Sequence, residues 1–249
     1  MIVLKSPREI ALMREAGLVC DAVFAKMAEM IAPGVSTEEL SIAAERVMKE
    51  HGAVSAELGY CGYPAAVCAS VNEVLLHGIP SKKKILRDGD IISIDIVVKK
   101  NGYCADACRT YPVGIVQEHA TKLIKVTEEA FWNGVKLVKE GVHLGDVEHA
   151  IQVTAESNGY SVAREYTGHG IGKEMHEDPY IPNYGTPGTG PILKAGMTLA
   201  IEPMVMEGKP ALRTLPDGWT TVTKDGKYSA HYENTIAVTK DGYEVLTIR

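Results

Sequence analysis

Apolar residues recur at helical spacing through Ile10, Met13, Val23, Phe24, Met27 and Ile31, the stripe of a helix with one face on a core. Ser6-Pro7-Arg8-Glu9 before it is a capping box with proline at the first helical position, and Pro33-Gly34 reads as its stop. Ser36-Thr37-Glu38-Glu39 opens a second helix, which closes at His51-Gly52. The period then breaks. LGYCGYPAAVCAS, Leu58 to Ser70, reads as a Gly- and Tyr-rich loop, followed by Val71–Pro80 with His77 and a solvated lysine turn, Ser81–Lys84. From Ile91 to Val113 two β-branched runs flank Lys99-Lys100-Asn101-Gly102, a hairpin, because Asn-Gly accepts the positive φ angles of a tight turn.

Asp95 and Asp106 interrupt this apolar hairpin. Whether the loop is Lys99–Gly102 or only Asn101-Gly102, its residue count is even, so the two carboxylates share one face. They lie opposite in the first case and diagonal in the second. Buried like charges stay ionised only with a cation between them. The alternative is one exposed and one turn-capping aspartate, but the apolar neighbours favour a metal site.

The second half of the pattern repeats the first. At a constant offset of 107 residues Phe24 matches Phe131, Gly34-Val35 matches Gly141-Val142, and Gly52 matches Gly159. ILRDGDIISIDIVV from Ile85 aligns with ILKAGMTLAIEPMV from Ile192, which sets Glu202 on Asp95. Duplication accounts for this, each half being two helices followed by strands, and predicts an α+β fold with a shared central antiparallel sheet. The halves, about 1–114 and 115–249, form a single catalytic domain. Glu233, in SAHYENTIAV, is the partner expected for Glu202, as Asp106 is for Asp95. Four converging carboxylates make an oxygen-rich cage for divalent cations, with a charge suited to two.

Composition removes several classes. A net charge of −6 offers no polybasic surface for nucleic acid or membrane, and no stretch reaches the roughly 20 apolar residues of a membrane helix. Five cysteines without a C-x-x-C pair suit reduced thiols in a cytoplasmic protein. Cys104 and Cys108 read as small apolar packing. In YTGHGIGKEMHEDP, glycines around His169 allow close backbone approach to a ligand, and His176 follows. Beside four carboxylates a nitrogen ligand is favoured there over a plain surface loop. His51, His119, His143, His149 and His231 read as solvated or locally bonded.

NEVLLHGIP with His77, the eleven-residue spacing of Asp95 and Asp106, YTGHGIG with His169 and then His176, IEPMV with Glu202 and HYENTI with Glu233 together resemble the methionine aminopeptidases of type I, in their short bacterial form. The resemblance covers nearly the whole chain. It implies the pita-bread fold with its internal pseudo-two-fold, and removal of the initiator methionine from nascent chains and peptides by a metal-bridged hydroxide. It assigns Asp95, Asp106, His169, Glu202 and Glu233 to two divalent ions (Co, Mn, Fe(II) or similar), with Asp106 and Glu233 bridging. His77 and His176 would contact substrate, and Glu202 would be both ligand and proton shuttle. Tyr60, Tyr63, Cys68, Met175 and Trp219 are candidates for the methionine slot, each readable instead as core. The family further implies a cytoplasmic monomer that meets nascent chains, with the ribosome as an additional partner. Neither an N-terminal zinc-binding extension nor a type II insertion is evident. Thr167 stands where cysteine is frequent and Met175 where an aromatic is frequent. A proline-specific peptidase of the same fold and a non-catalytic, ribosome-associated protein are the alternatives.

Overall fold

A computed structural model describes residues 1–248. The first half contains α1 (Pro7–Met30), α2 (Thr37–Glu50), β1 (Val54–Ser55), β2 (Cys68–Val71), β3 (Val74–Leu76), β4 (Ile91–Lys100) and β5 (Tyr103–Pro112). The second contains α3 (Glu118–Val135), α4 (Leu144–Ser157), β6 (Ser161–Val162), β7 (Thr167–Gly170), β8 (Glu177–Pro182), β9 (Thr198–Ile201), β10 (Met204–Met206), β11 (Leu212–Thr214), β12 (Thr221–Thr223), β13 (Ser229–His231), β14 (Glu233–Val238) and β15 (Tyr243–Val245).

Both predicted capping boxes form. Ser6 and Glu9 exchange bonds at the start of α1, as Ser36 and Glu39 do at α2, satisfying amide groups that a helix start leaves bare. Helix α1 ends at Met30, short of the expected Pro33-Gly34 stop, with Ile31 as its extended cap. The segment read as a loop to Ser70 ends instead in strand β2, whose Cys68 lies opposite Asp95 of β4. Its small residues carry little strand signal, and pairing with β4 makes it a strand.

The main sheet runs β1-β4-β5-β14-β9-β7-β8, with β2 beside β4 and β15 beside β14. All pairings are antiparallel. Its middle seam, β5 on β14, joins the halves. One apolar cluster draws on residues 16–113 and another on 130–238.

The repeat extends to individual contacts. The pairs Val54↔Lys99 and Ser55↔Val98 recur 107 residues on as Ser161↔Met206 and Val162↔Val205. The bridge Ser36↔Ile85 recurs as His143↔Ile192. Beyond the hairpin the offset becomes 125, since the Gly89–Val113 bond recurs as Gly196–Val238. This corrects one expectation. Asp95 faces Cys108, and in the matching register Ile201 faces Asn234, which sets Glu202 against Glu233. Glu233 therefore occupies the place of Cys108, and the counterpart of Asp106 is His231.

Candidate metal centre

The Asn101-Gly102 turn has φ values of 51° and 83°, so the hairpin takes the two-residue loop with positive φ at both positions. Val97 faces Asp106 and Asp95 faces Cys108, which places the two carboxylates diagonally on one face. Across the seam Glu233 pairs with Cys108, and Glu202 follows the last residue of β9. His169 enters from β7, which pairs with β9. Glycines 168 and 170 serve neighbouring backbones here: a Cβ at Gly168 would meet the Ala200 carbonyl at 2.4 Å, and one at Gly170 the Asp178 carbonyl at 2.0 Å.

The five side chains converge. His169 Nε2 is 3.6 Å from both Asp106 Oδ2 and Glu202 Oε1. Asp106, His169 and Glu233 each offer an atom within 4.8 Å of the other two. His169 donates Nδ1–H to the Gly170 carbonyl at 2.9 Å, so Nε2 directs a lone pair at acceptor oxygens. Such a contact is repulsive unless a cation or a shared proton lies between the groups. Asp95 Oδ1, Asp106 Oδ1 and Glu233 Oε1 are buried without hydrogen-bond partners. Burial, reinforced by neighbouring carboxylates with Asp106 foremost, pushes Asp95, Glu202 and Glu233 well above the usual carboxylate range. A donor set of this kind fits hard or borderline divalent cations.

All twelve site residues expected from the sequence line one cavity of about 590 Å³, a size suited to small-ligand binding. His77 has a φ of +56°, a left-handed backbone that a non-glycine residue holds only under constraint. Burial, then the neighbouring His176, lowers its pKa to about 4. His176 is lowered by burial and by His169, and its Nδ1 lies 2.9 Å from the Tyr60 hydroxyl. Its ring packs 4.4 Å from that of His169. Trp219 stands edge-on to Tyr63 at 5.1 Å and to His77 at 6.0 Å. Cys68 and Trp219, readable as core, both face the cavity.

Two buried groups escaped the sequence reading. Glu57 lines the cavity, accepts a bond from Cys68 Sγ at 3.4 Å and leaves Oε2 unpartnered. No pattern marked it. His231, expected to be solvated or locally bonded, is 2% exposed with Nε2 unpartnered. Its place two residues before Glu233, hence on the same face of an extended strand, was the available signal. Of the other four histidines of that group, His51 and His119 are exposed and His143 and His149 half-buried. His51 bonds locally to Val47, whereas His119, His143 and His149 bond to the distant Glu207, Gly190 and Gly185.

The sequence matches metallopeptidase family M24 over residues 11–240. The chain belongs to this family. Among M24 relatives, Methionine aminopeptidase 1 of Bacillus subtilis is 50% identical over 99% of both chains. The methionine aminopeptidase of Escherichia coli K12 is 45% identical over 100% of this chain and 94% of its own length. The crystal structure of the Thermotoga maritima methionine aminopeptidase superposes with a TM-score of 0.99 at 45% identity, covering both chains fully. An Xaa-Pro dipeptidase of the same fold, from Bacillus anthracis, gives 0.80 at 26% identity, and 62% of its chain is covered. The M24 membership carries with it dependence on divalent metal ions and the pita-bread architecture of the paired halves.

Proposed function

We propose that this chain removes the N-terminal methionine from peptides and nascent proteins. The observation that carries the proposal is His169 Nε2 presenting its lone pair to Asp106 and Glu202, inside a cavity whose other wall is an aromatic and sulfur-lined slot. Asp95, Asp106, His169, Glu202 and Glu233 would hold two divalent ions, of the cobalt, manganese or iron(II) kind. Such ions would supply a water nucleophilic near neutral pH and would polarise the scissile carbonyl.

The protein's own groups do the rest. Donation from the Tyr60 hydroxyl to His176 Nδ1 leaves Nε2 protonated, a donor for the oxyanion of the scissile carbonyl. His77, held neutral near pH 7, orients the scissile nitrogen. Glu202 takes the proton of the attacking water and passes it to the leaving amine. Tyr60, Tyr63, Cys68, Met175 and Trp219 enclose the methionine side chain, with sulfur–aromatic contacts adding modestly. Thr167 and Met175 alter the slot and leave the ligand set intact. The two halves act as one catalytic domain, a cytoplasmic monomer serving chains as they leave the ribosome.

A peptide panel tests this. Met-Ala-Ser is cleaved, the norleucine analogue is tolerated and the leucine analogue loses about 10–200-fold, the range for one branch in an apolar slot. Cleavage of Xaa-Pro peptides in preference to Met-Ala-Ser would overturn it.

A further inference from the structure

His231 has no part in the reaction as proposed, yet it lies inside the centre. Its Nε2 is 3.6 Å from Glu202 Oε2 and 3.8 Å from Glu233 Oε2. The duplicated scaffold explains how it came there. Thr235 grips Asp106 through one hydroxyl, accepting from its backbone N–H at 2.8 Å and donating to its carbonyl at 2.9 Å. Thr110 grips His231 in the same way, at 3.0 and 2.8 Å. One half thus delivers a carboxylate to the centre and the other delivers an imidazole.

The two buried histidines differ in what they can offer. His169 spends its Nδ1–H on a carbonyl and presents a lone pair. With Glu202 and Glu233 ionised by bound cations, His231 Nε2 faces two carboxylate oxygens that only accept, so the favoured tautomer carries its proton there. Glu202 is divided between the rings, with Oε1 3.6 Å from His169 and Oε2 3.6 Å from His231. We propose that His231 is a positioning residue for Glu202: its Nε2–H, 3.6 Å from Oε2 and without a hydrogen-bond partner, closes on that oxygen when ions are bound, so that Glu202 serves the metal centre through Oε1 alone. Outer hydrogen bonds of this kind fix the orientation and basicity of a ligand. The inference rests on Glu202 being a ligand, as proposed above.

The test uses the full chain titrated with Co(II) in the absence of peptide, followed by visible absorption and isothermal titration. His231→Leu and His231→Ser cannot reach Glu202 with a donor, whereas His231→Gln can. The Leu and Ser variants are expected to bind as many ions as the unaltered protein, with affinity reduced about 10–100-fold and the Co(II) absorption bands changed. Their kcat falls while KM holds. His231→Gln restores spectrum and affinity to within a few-fold. If either donor-less variant keeps the original spectrum and affinity, His231 only packs and the proposal fails. If the Gln variant loses a whole ion as the others do, His231 is itself a ligand and the proposal also fails. Should His231→Leu not fold, the Ser and Gln pair carries the comparison. Because spectrum and affinity are read without peptide, failure of methionine release leaves them intact. Absence of Co(II) binding by the unaltered protein would overturn both readings.

Discussion

At the scale of single residues, groups proposed to hold metal stand apart from groups proposed to touch substrate. His77 and His176 line the cavity but belong to none of the three groups of side chains close enough to hold an ion: Glu57, Cys68 and Asp95; Asp106, His169 and Glu233; Glu202, His231 and Glu233. His176→Ala is expected to lower kcat by roughly 10²–10⁴, the range for a lost proton or oxyanion donor. His77→Asn should do the same, asparagine being chosen because it tolerates the +56° backbone. Metal content, by elemental analysis, stays at its original value in both; loss of an ion would make that histidine a ligand. The carboxylates and His169 were legible because acidic residues in an apolar hairpin and a histidine between glycines are anomalies within a pattern. Glu57 was not, since its burial depends on the preceding residues pairing with β4, where the Ala56 N–H donates to the Val97 carbonyl. His231 was misread because strand flanks are usually wet, whereas its backbone is held by Thr110 of β5 and its side chain is buried.

The elements that matter most are the two hairpin-like pairs facing each other across the seam. A Cβ at Gly102, where φ is 83°, would meet nothing within 4 Å, so Gly102→Ala is strained only through its backbone. It should cost about 1–2 kcal/mol, read as a lowered Tm, while the folded fraction keeps its kcat. An unchanged Tm would contradict the tight-turn assignment. The hairpin was readable because Asn-Gly between β-branched runs is a local signal. Strand β2 was not, because Cys-Ala-Ser-Val becomes a strand only through its partner β4. Symmetry likewise led to Glu233, which the register sets against Glu202, but for an incomplete reason. The return strand carries an offset of 125, which matches Glu233 to Cys108 and His231 to Asp106.

For the whole molecule, buried carboxylates link folding to metal and pH. Asp95, Glu202 and Glu233 have folded pKa values above their unfolded ones, so the metal-free folded protein holds protons that the unfolded chain has released. Its stability therefore falls as pH rises above the ordinary carboxylate range. His77 and His231, depressed by burial to about 4 and about 3, act the other way, stability falling as pH drops through the range between the unfolded value and these. Those histidines contribute alike with and without ions, whereas metal binding displaces the carboxylate protons. The Tm difference between ion-loaded and chelated protein should accordingly widen from about pH 5 to about pH 8. A difference independent of pH in thermal melts would show that the carboxylates are not the ligands.

The central claim is that carboxylates from both halves jointly hold the ions on which methionine release depends. Methionine released from Met-Ala-Ser, followed against divalent-ion equivalents added back after chelation, tests it most directly when Asp106→Asn and Glu233→Gln are run beside the unaltered protein, with the exposed Glu128→Gln as control. The prediction is no release after chelation, recovery that saturates with bound ions in the unaltered and control proteins, and matching losses of stoichiometry and turnover in both variants, only partly restored by excess ion. Release that survives chelation, or full stoichiometry with near-normal turnover in Glu233→Gln, would contradict it.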